Sequence, residues 1–243
     1  MDLFSFGTEA DMRSRRLADR MRPETLDEYI GQEHIVGPGK LLRRAIESDT
    51  VSSIVLFGPP GCGKTTLAHI ISKKTDGEFV RLNAVDASVK DVREVIERAE
   101  DNKNLYGRKT ILFLDEVHRF NSARQDALLP AVEKGIIVFI GATTENPYHS
   151  INGALLSRST LFRLHPLTKE HSLIAMRRAI ADPVKGLGFM KLQVDEEALQ
   201  HIAAMANGDI RRALTALDLA AVTTPSREDG TVHITLDIAE ESI

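Results

Sequence analysis

Cysteine is almost absent from this chain, since Cys62 is the single cysteine among 243 residues. One thiol excludes an internal disulfide framework and is typical of a protein in a reducing compartment. No apolar run approaches the roughly 20 residues that a transmembrane helix needs, and the N-terminus lacks the apolar core of a signal peptide. These absences predict a cytoplasmic protein.

An excess of basic residues is also missing, because 31 lysines and arginines stand against 35 aspartates and glutamates. A large positive net charge is a common electrostatic signature of nucleic-acid binding. Its absence argues against strong DNA binding by an isolated subunit but leaves local basic patches open. The length suits one large or two small domains.

The chain does contain a complete phosphate-binding loop. The run Gly58-Pro59-Pro60-Gly61-Cys62-Gly63-Lys64-Thr65 matches the pattern G-x-x-x-x-G-K-[ST], and it lies between a predicted strand and a helix predicted over 66–74. Glycines let backbone N–H groups approach a phosphate chain, and the helix N-terminus favours the same anion. In such a loop Lys64 contacts the β- and γ-phosphates, and the Thr65 hydroxyl binds Mg²⁺. The sequence therefore predicts a nucleoside triphosphate site.

Five short apolar runs predict strands that alternate with helices. These runs are 53–57, 78–83, 110–114, 136–140 and 161–164. Near-continuous hydrophobicity in the first, third and fourth runs favours strands buried on both faces, as in a parallel sheet. Ser88 is expected to cap one helix, and Asn121 or Ser122 a second that runs to Glu133 with a kink at Pro130. The alternation predicts a doubly wound α/β domain with its ligand at the carboxyl ends of the strands.

The pattern becomes helical after Pro166. Helices are predicted over 169–180, 195–206, 209–222 and 237–243. We therefore predict a nucleotide-binding core that ends at 166 and a smaller helical domain at 167–243. Because the last helix has no stop signal, we expect a C-terminal part of the protein to be missing.

Two carboxylates follow the apolar strand at 111–114. In this position Asp115 would hold Mg²⁺ through water, and Glu116 would polarise the attacking water as a general base. The alternative is a pair of acids at an ordinary strand end. Paired acids beside a phosphate loop distinguish this chain from small-molecule kinases, which need no water-activating glutamate.

Other polar residues stand where they could act on a γ-phosphate. A parallel sheet would place the end of the fourth strand between the phosphate loop and the acids. There Thr144 is our choice for a side chain that contacts the γ-phosphate and the attacking water, with Asn146 as the alternative. Arg158 precedes the fifth strand and Arg211 begins a helix of the second domain. An arginine supplied in trans can accelerate phosphoryl transfer by orders of magnitude.

These motifs resemble those of an AAA+ ATPase of the clamp-loader clade, and more closely those of the replication-associated recombination protein A family. The resemblance covers nearly the whole chain from about residue 17, and it implies an N-terminal tail at 1–16 and a nucleotide-binding core at 17–166. Further hallmark segments are Arg20-Met21-Arg22-Pro23, Ile30-Gly31-Gln32, and residues 115–121, 125–130 and 141–147.

The resemblance implies an AAA+ P-loop fold with a five-stranded parallel sheet of order 5-1-4-3-2 and a helical lid. Arg158 matches an arginine finger that reaches the nucleotide of a neighbouring subunit, and Arg211 matches a sensor on the lid. Lys64, Asp115, Glu116 and Thr144 complete the implied catalytic set, with Thr65 and Asp115 toward the metal. The predicted nucleotide-binding residues are Arg22, Pro23, Ile30, Gly31, Gly58, Pro59, Pro60, Gly61, Cys62, Gly63, Lys64, Thr65, Thr66 and Arg211.

The function that the resemblance implies is Mg²⁺-dependent ATP hydrolysis by a DNA-associated enzyme at stalled replication forks, in recombination-linked repair. Alternatives are a clamp-loader subunit, a Holliday-junction branch-migration motor, or a non-hydrolysing nucleotide-dependent adaptor. The implied partners are single-stranded, gapped or forked DNA and replication proteins such as single-strand-binding protein or the sliding clamp. The family forms tetramers through a C-terminal region that we expect this chain to lack, so this form is expected to be mostly monomeric.

Two smaller hypotheses concern the N-terminus and the thiol. Residues 1–6 could form a sliding-clamp docking peptide, or alternatively a tail that packs on the protein's own surface. The loop N–H groups and Lys64 should lower the pKa of Cys62, so that a maleimide reacts with it and bound ATP–Mg²⁺ protects it. The alternative is that Cys62 only fills a small position with an inert thiol.

Overall fold

The computed structural model describes residues 15–75 and 77–243, and it divides into two compact units. One unit comprises residues 24–165, here called the sheet unit. The other combines residues 166–243 with the described part of residues 1–23, and is called the helical unit. The docking peptide hypothesised at residues 1–6 lies outside the described residues. None of the helices in the described ranges is long and apolar enough to cross a membrane.

The helices and strands follow in chain order. The helices are α1 (Leu17–Arg20), α2 (Glu33–Val36), α3 (Leu41–Glu47), α4 (Lys64–Lys74), α5 (Val89–Tyr106), α6 (Ser122–Asp126), α7 (Leu129–Glu133), α8 (Pro147–Ser150), α9 (Gly153–Leu156), α10 (Lys169–Ala181), α11 (Glu196–Met205), α12 (Ile210–Thr223) and α13 (Leu236–Ser242). The strands are β1 (Ile54–Phe57), β2 (Gly77–Asn83), β3 (Lys109–Asp115), β4 (Ile137–Thr143), β5 (Thr160–Arg163), β6 (Leu192–Val194) and β7 (Val232–Ile234).

The sheet unit contains a five-stranded parallel sheet of order β2-β3-β4-β1-β5. Read from the other edge, this is the predicted order 5-1-4-3-2, which is therefore confirmed. Phe57 at the end of β1 pairs with Thr143 at the end of β4, and Leu114 near the end of β3 pairs with Gly141. The carboxyl ends of β1, β4 and β3 consequently lie side by side.

Both faces of this sheet are buried, as the apolar strand sequences predict. Side chains alternate along a strand, so Ile111 and Phe113 of β3 enter one apolar cluster and Leu112 and Leu114 enter the other. The first cluster includes side chains of α2, α3 and α4, and the second includes side chains of α5, α7 and α9. The predicted doubly wound α/β architecture is confirmed.

Capping explains where several helices of the sheet unit begin and end. Ser88 and Asp91 form a reciprocal capping box at the start of α5, and Gly107 ends that helix in the left-handed region.

The prediction of a single helix from residue 121 to Glu133 is wrong, because the structure has two helices, α6 and α7, in its place. Pro130 lies in the first turn of α7 rather than at a kink. Proline is tolerated there because its missing N–H would have no helical partner.

The helical unit has its own apolar core. Helix α11 lies in the segment predicted to be helical at 195–206, and it buries Ala198, Leu199, Ile202 and Ala203 on one face. The sequence reading missed β6 and β7, which form a parallel pair of three residues each. Strands this short leave almost no periodic pattern in a sequence.

The N-terminal helix α1 also belongs to the helical unit. Leu17 is fully buried in its core, and the Leu17 N–H donates a hydrogen bond of 3.0 Å to Asp218 Oδ2. The predicted division assigned residues 17–23 to the nucleotide-binding core instead. The structure groups them differently because burial of Leu17 is satisfied by residues distant in sequence, such as Leu217.

Candidate nucleotide-binding site

The phosphate-binding loop joins β1 to α4 and depends on glycine at two close approaches. A Cβ atom on Gly58 would lie 2.4 Å from the carbonyl oxygen of Leu164, and one on Gly63 would lie 2.4 Å from the Tyr29 hydroxyl. Gly63 also has a φ of 98°, in the left-handed region that side chains disfavour. The spacing of glycines that identified the motif thus has a direct steric cause.

Lys64 begins α4 and its side chain folds back over the loop. Its Nζ donates hydrogen bonds of 2.8 Å to the carbonyl oxygens of Gly58 and Pro59, and the residue is buried. These carbonyls satisfy an ammonium group that burial would otherwise penalise. Next along the helix, the Thr65 hydroxyl has no hydrogen-bond partner among the described residues. The ammonium therefore lies at the loop, and the hydroxyl is available to a further ligand.

The two predicted acids lie at the carboxyl end of β3. Asp115 Oδ2 is 2.8 Å from Nη2 of Arg81, a residue of the adjacent strand β2. Glu116 has a φ of 54° and follows the strand directly. Its Oε2 lies 3.4 Å from His118 Nδ1. The structure thus brings Asp115 and Glu116 to the sheet edge that carries the phosphate loop, and gives each carboxylate a basic neighbour.

A polar cluster of His118, Thr143 and Glu145 connects the segment after β3 to the end of β4, and it was missed by the sequence analysis. His118 Nδ1 lies 3.0 Å from Thr143 Oγ1, and His118 Nε2 lies 3.8 Å from Glu145 Oε1. Thr143 is fully buried, and its hydroxyl also accepts the N–H of Glu145 at 3.0 Å. A signal was present, because His118 and Thr143 both fall in the hallmark segments. Their contact depends on the sheet order, which places β4 beside β3.

The predicted sensor Thr144 is exposed, and its hydroxyl makes no hydrogen bond within the part of the chain that the structure describes. It immediately follows β4, between the phosphate loop and the acids in sheet order. Asn146, the alternative, uses its Oδ1 to cap α8 by accepting the Tyr148 N–H at 3.1 Å. The Thr144 hydroxyl is therefore unengaged among the residues described, whereas Asn146 has its side-chain oxygen committed to the cap and only its Nδ2 without a partner there.

The remaining predicted residues are divided between the two units. In the sheet unit, Arg158 pairs with Glu133 at 2.6 Å and is partly exposed, while Ile30 and Gly31 precede α2. In the helical unit, Arg211 lies in the first turn of α12. That unit also contains Arg22, which pairs with Asp19 at 2.9 Å, and Pro23. The roles assigned to these residues stay predictions.

Two residues that the sequence analysis did not assign to the site contact the outside of the loop. Gln32 Nε2 donates to the carbonyl oxygens of Cys62 at 3.2 Å and His165 at 2.8 Å, and its Oε1 accepts the His165 N–H at 2.9 Å. The Tyr29 hydroxyl donates to the Gly63 carbonyl at 3.2 Å. Burial raises the pKa of Tyr29 well above its ordinary value, so the phenol stays protonated and able to donate.

The structure contradicts the prediction of a reactive thiol at Cys62. Its residue is only 2% exposed, and burial raises the pKa of the thiol. Lys64 Nζ lies 3.9 Å from Sγ and favours the thiolate, but this effect is smaller than that of desolvation. The expected low pKa overlooked how deeply the side chain packs among apolar residues such as Leu67.

Comparison with known proteins agrees with this architecture. The profile of the ATPase family associated with various cellular activities (AAA) matches residues 54–167, and the profile of the AAA C-terminal domain matches residues 188–243. The chain is 47% identical over 214 residues to replication-associated recombination protein A of Haemophilus influenzae. It is 48% identical over 212 residues to the protein of that name from Escherichia coli K12. These alignments cover 88% and 87% of this chain but 48% and 47% of the relatives, so the chain spans about half their length.

Among solved structures, the Holliday junction branch migration motor RuvB of Thermotoga maritima superimposes with a TM-score of 0.71 at 27% identity. The match covers 92% of this chain and 72% of that protein. The two family profiles, the sheet order and the sequence identities agree. The chain belongs to the AAA ATPase family, among the relatives of replication-associated recombination protein A.

Proposed function

We propose that this chain is the ATP-binding and ATP-hydrolysing part of a cytoplasmic protein that acts on DNA at stalled replication forks, in recombination-linked repair. The observation that carries the proposal is the edge of the sheet where β1, β4 and β3 end side by side. That edge brings the Lys64 ammonium, Thr144 and the Asp115–Glu116 pair to one place. A phosphate loop, paired acids and a polar side chain between them are the groups that nucleotide hydrolysis needs.

The residues at this edge fit a magnesium ion carried with ATP. The Thr65 hydroxyl is unengaged among the residues described, and the Asp115 carboxylate would hold the ion through water. When bound, the ion would neutralise charge on the β- and γ-phosphates. Lys64 would hold the same phosphates, and Ile30, Gly31, Arg22 and Pro23 would surround the adenine.

Hydrolysis is assigned to four further residues. Glu116 acts as the general base on the attacking water, and Thr144 orients that water against the γ-phosphate. Arg158 reaches the nucleotide of a neighbouring subunit, and Arg211 acts as a sensor from the helical unit. The Arg158 guanidinium pairs with Glu133 at the surface, where it is accessible to a neighbouring subunit, and this position supports the assignment.

The DNA-related part of the proposal is supported by the relatives, whose names describe replication-associated recombination proteins. Its substrates would be single-stranded, gapped or forked DNA, and its partners single-strand-binding protein or the sliding clamp. Because Arg158 is assigned to a neighbour's site, the test is ATP turnover by the assembled protein with and without forked DNA, with Lys64→Ala as the control. We expect turnover that forked DNA stimulates and that Lys64→Ala abolishes. Absence of turnover in the unmodified protein would favour a non-hydrolysing adaptor instead.

A branch-migration motor is the second candidate, because the Thermotoga maritima RuvB structure is similar over 92% of this chain. The two candidates differ in the DNA that should stimulate turnover. Stimulation by a four-way junction that exceeds stimulation by a fork of equal length would favour the motor. The reverse order would favour action at forks. A requirement for a sliding clamp with primed DNA would identify a clamp-loader subunit.

A further inference from the structure

We infer that Gln32 is a positioning residue that aims the phosphate-binding loop at its anion. The inference rests on the proposed nucleotide-binding function and assigns to the site a residue that contacts no phosphate itself. Gln32 is 4% exposed, and it makes three hydrogen bonds to backbone groups. Two of these anchor its amide on His165, and the third holds the Cys62 carbonyl oxygen of the loop.

The orientation of one peptide plane explains why that carbonyl matters. The Cys62 carbonyl and the Gly63 N–H belong to the same planar trans peptide unit, so they point in opposite directions. By holding the carbonyl outside the loop, Gln32 turns the Gly63 N–H toward the inside. In the described structure this N–H donates to no protein group. A phosphate-binding loop needs such an unpaired donor on its inner side.

The next peptide plane, between Gly63 and Lys64, is held by groups other than Gln32. Gln32 is therefore specific to the plane between Cys62 and Gly63. The Gly63 carbonyl accepts the Leu67 N–H at 2.9 Å, as the first hydrogen bond of α4, and accepts the Tyr29 hydroxyl at 3.2 Å. The same hydroxyl reaches the Cys62 carbonyl only at 3.5 Å. The Cys62 carbonyl thus depends mainly on Gln32 at 3.2 Å. The Tyr29 hydroxyl mainly holds the Gly63 carbonyl and is a weaker, secondary support for the Cys62 carbonyl.

The anchoring of Gln32 shows that its side chain is held in one orientation. Its amide pairs with both the N–H and the carbonyl of His165, as a neighbouring strand would. His165 follows β5 and Leu164, whose own carbonyl lies against Gly58 at the start of the loop. The segment that follows β5 therefore contacts the phosphate-binding loop at two points. The Leu164 carbonyl contacts the start of the loop directly, and His165 contacts the end of the loop through Gln32.

The test compares Gln32→Met with Gln125→Met, because the sheet unit offers a closely matched control. Gln125 is also buried, at 3% exposed, and its amide likewise makes three backbone hydrogen bonds, to Phe120, Ser150 and Asn152. Both variants lose a buried amide and keep a side chain of similar length. Affinities for ATP and for inorganic tripolyphosphate are measured by competition against a fluorescent ATP analogue, with thermal unfolding alongside.

We expect Gln32→Met to weaken ATP and tripolyphosphate by the same factor, about tenfold, since one buried hydrogen bond is lost from the loop. Gln125→Met should bind both probes as the unmodified protein does, whatever its unfolding temperature. A loss confined to ATP would overturn the inference, because Gln32 would then act through the base. Equal losses in Gln32→Met and Gln125→Met would overturn it by showing a general effect of destabilisation.

A second variant keeps the inference testable if Gln32→Met does not fold. Tyr29→Phe removes the hydroxyl that donates to the Gly63 carbonyl at 3.2 Å and reaches the Cys62 carbonyl at 3.5 Å, so both planes at this end of the loop lose a support and a smaller loss of about threefold for both probes is expected. Unchanged affinity in Tyr29→Phe would count against the inference in that case. If Gln32→Met binds ATP as tightly as the unmodified protein does, the inference fails and the proposed nucleotide-binding function stands. If the unmodified protein binds neither probe, the proposed function fails first.

Discussion

Arg81 and Asp115 form an ion pair across neighbouring strands, with Nη2 2.8 Å from Oδ2. The Arg81 guanidinium also lies 6.0 Å from the centre of the Phe113 ring, which helps to hold it over β3. Asp115 is the carboxylate that we assign to magnesium. The guanidinium and the metal therefore compete for one carboxylate.

Removal of this competitor should lower the magnesium requirement. In Arg81→Ala we expect half-maximal ATP binding at about two- to fivefold less Mg²⁺, because a half-exposed pair contributes at most about 1 kcal/mol. The measurement is a magnesium titration of fluorescent ATP analogue binding. Arg98→Ala is the control, because Arg98 of α5 pairs with Glu78, which lies on β2 as Arg81 does but is not assigned to magnesium. A higher magnesium requirement in Arg81→Ala would show that the arginine supports the site instead.

Lys64 and Glu116 should separate binding from hydrolysis. Lys64→Ala is expected to abolish ATP binding, because the buried ammonium that neutralises phosphate charge is lost. Glu116→Gln should bind ATP normally and hydrolyse it about 10²- to 10⁴-fold more slowly, since a general base contributes that much. Equilibrium binding and steady-state turnover decide both. Normal turnover by Glu116→Gln would remove Glu116 from its assigned role.

The predictable part of the fold is the part with a strong local signal. Strands such as β3 read as continuous apolar runs, and Ser88 could be identified as a cap because its side-chain chemistry is local. The break between α6 and α7 could not be read, because a proline inside a helical pattern predicts either a kink or a new first turn. The placement of α1 depends on Leu17 finding a partner core about 200 residues away in sequence.

In the candidate site too, the residues with a local sequence signal could be predicted and those that depend on long-range contacts could not. Glycine spacing and paired acids are local patterns, and they located the loop and Asp115 directly. Gln32, Tyr29 and His118 act through backbone or side-chain groups that only the sheet order brings near. The pKa of Cys62 was predicted wrongly for the opposite reason. Lys64 does favour the thiolate, as the local sequence indicates, but the burial that outweighs it depends on the tertiary fold.

Thr143 and Thr144 should respond oppositely to the same substitution. Thr143→Val removes a fully buried hydroxyl bonded to His118 and Glu145, so it should destabilise the fold by about 1–3 kcal/mol. Thr144→Val removes an exposed hydroxyl, so it should leave the unfolding temperature unchanged and slow turnover at least tenfold if Thr144 orients the water. Thermal unfolding and turnover are measured on both. Full turnover by Thr144→Val would leave Asn146 as the candidate.

Arg158 should act on a neighbouring subunit. In the assembled protein, Arg158→Ala is expected to keep its ATP affinity and lose turnover about 10³-fold. Mixing it with Lys64→Ala subunits should restore part of the activity, since each supplies what the other lacks. The matched control is Glu133→Gln, which removes the partner of Arg158 and keeps the guanidinium. Mixed assemblies without any recovery would indicate that Arg158 acts within its own subunit.

Cys62 should be alkylated slowly in the native protein, with or without ATP. Burial favours the neutral thiol and raises its pKa above the ordinary value of 9.0, so the reactive thiolate is rarer than in a free cysteine at neutral pH. The native rate should therefore continue to rise through pH 9, where the rate of the urea-unfolded protein begins to level off. Maleimide labelling across pH 7 to 10 measures both. Because the 2% exposure limits access before any nucleotide binds, ATP–Mg²⁺ should add little protection. Fast labelling at pH 7 that ATP–Mg²⁺ suppresses would instead show a thiolate stabilised by the loop, and would mean that the field of Lys64 outweighs desolvation.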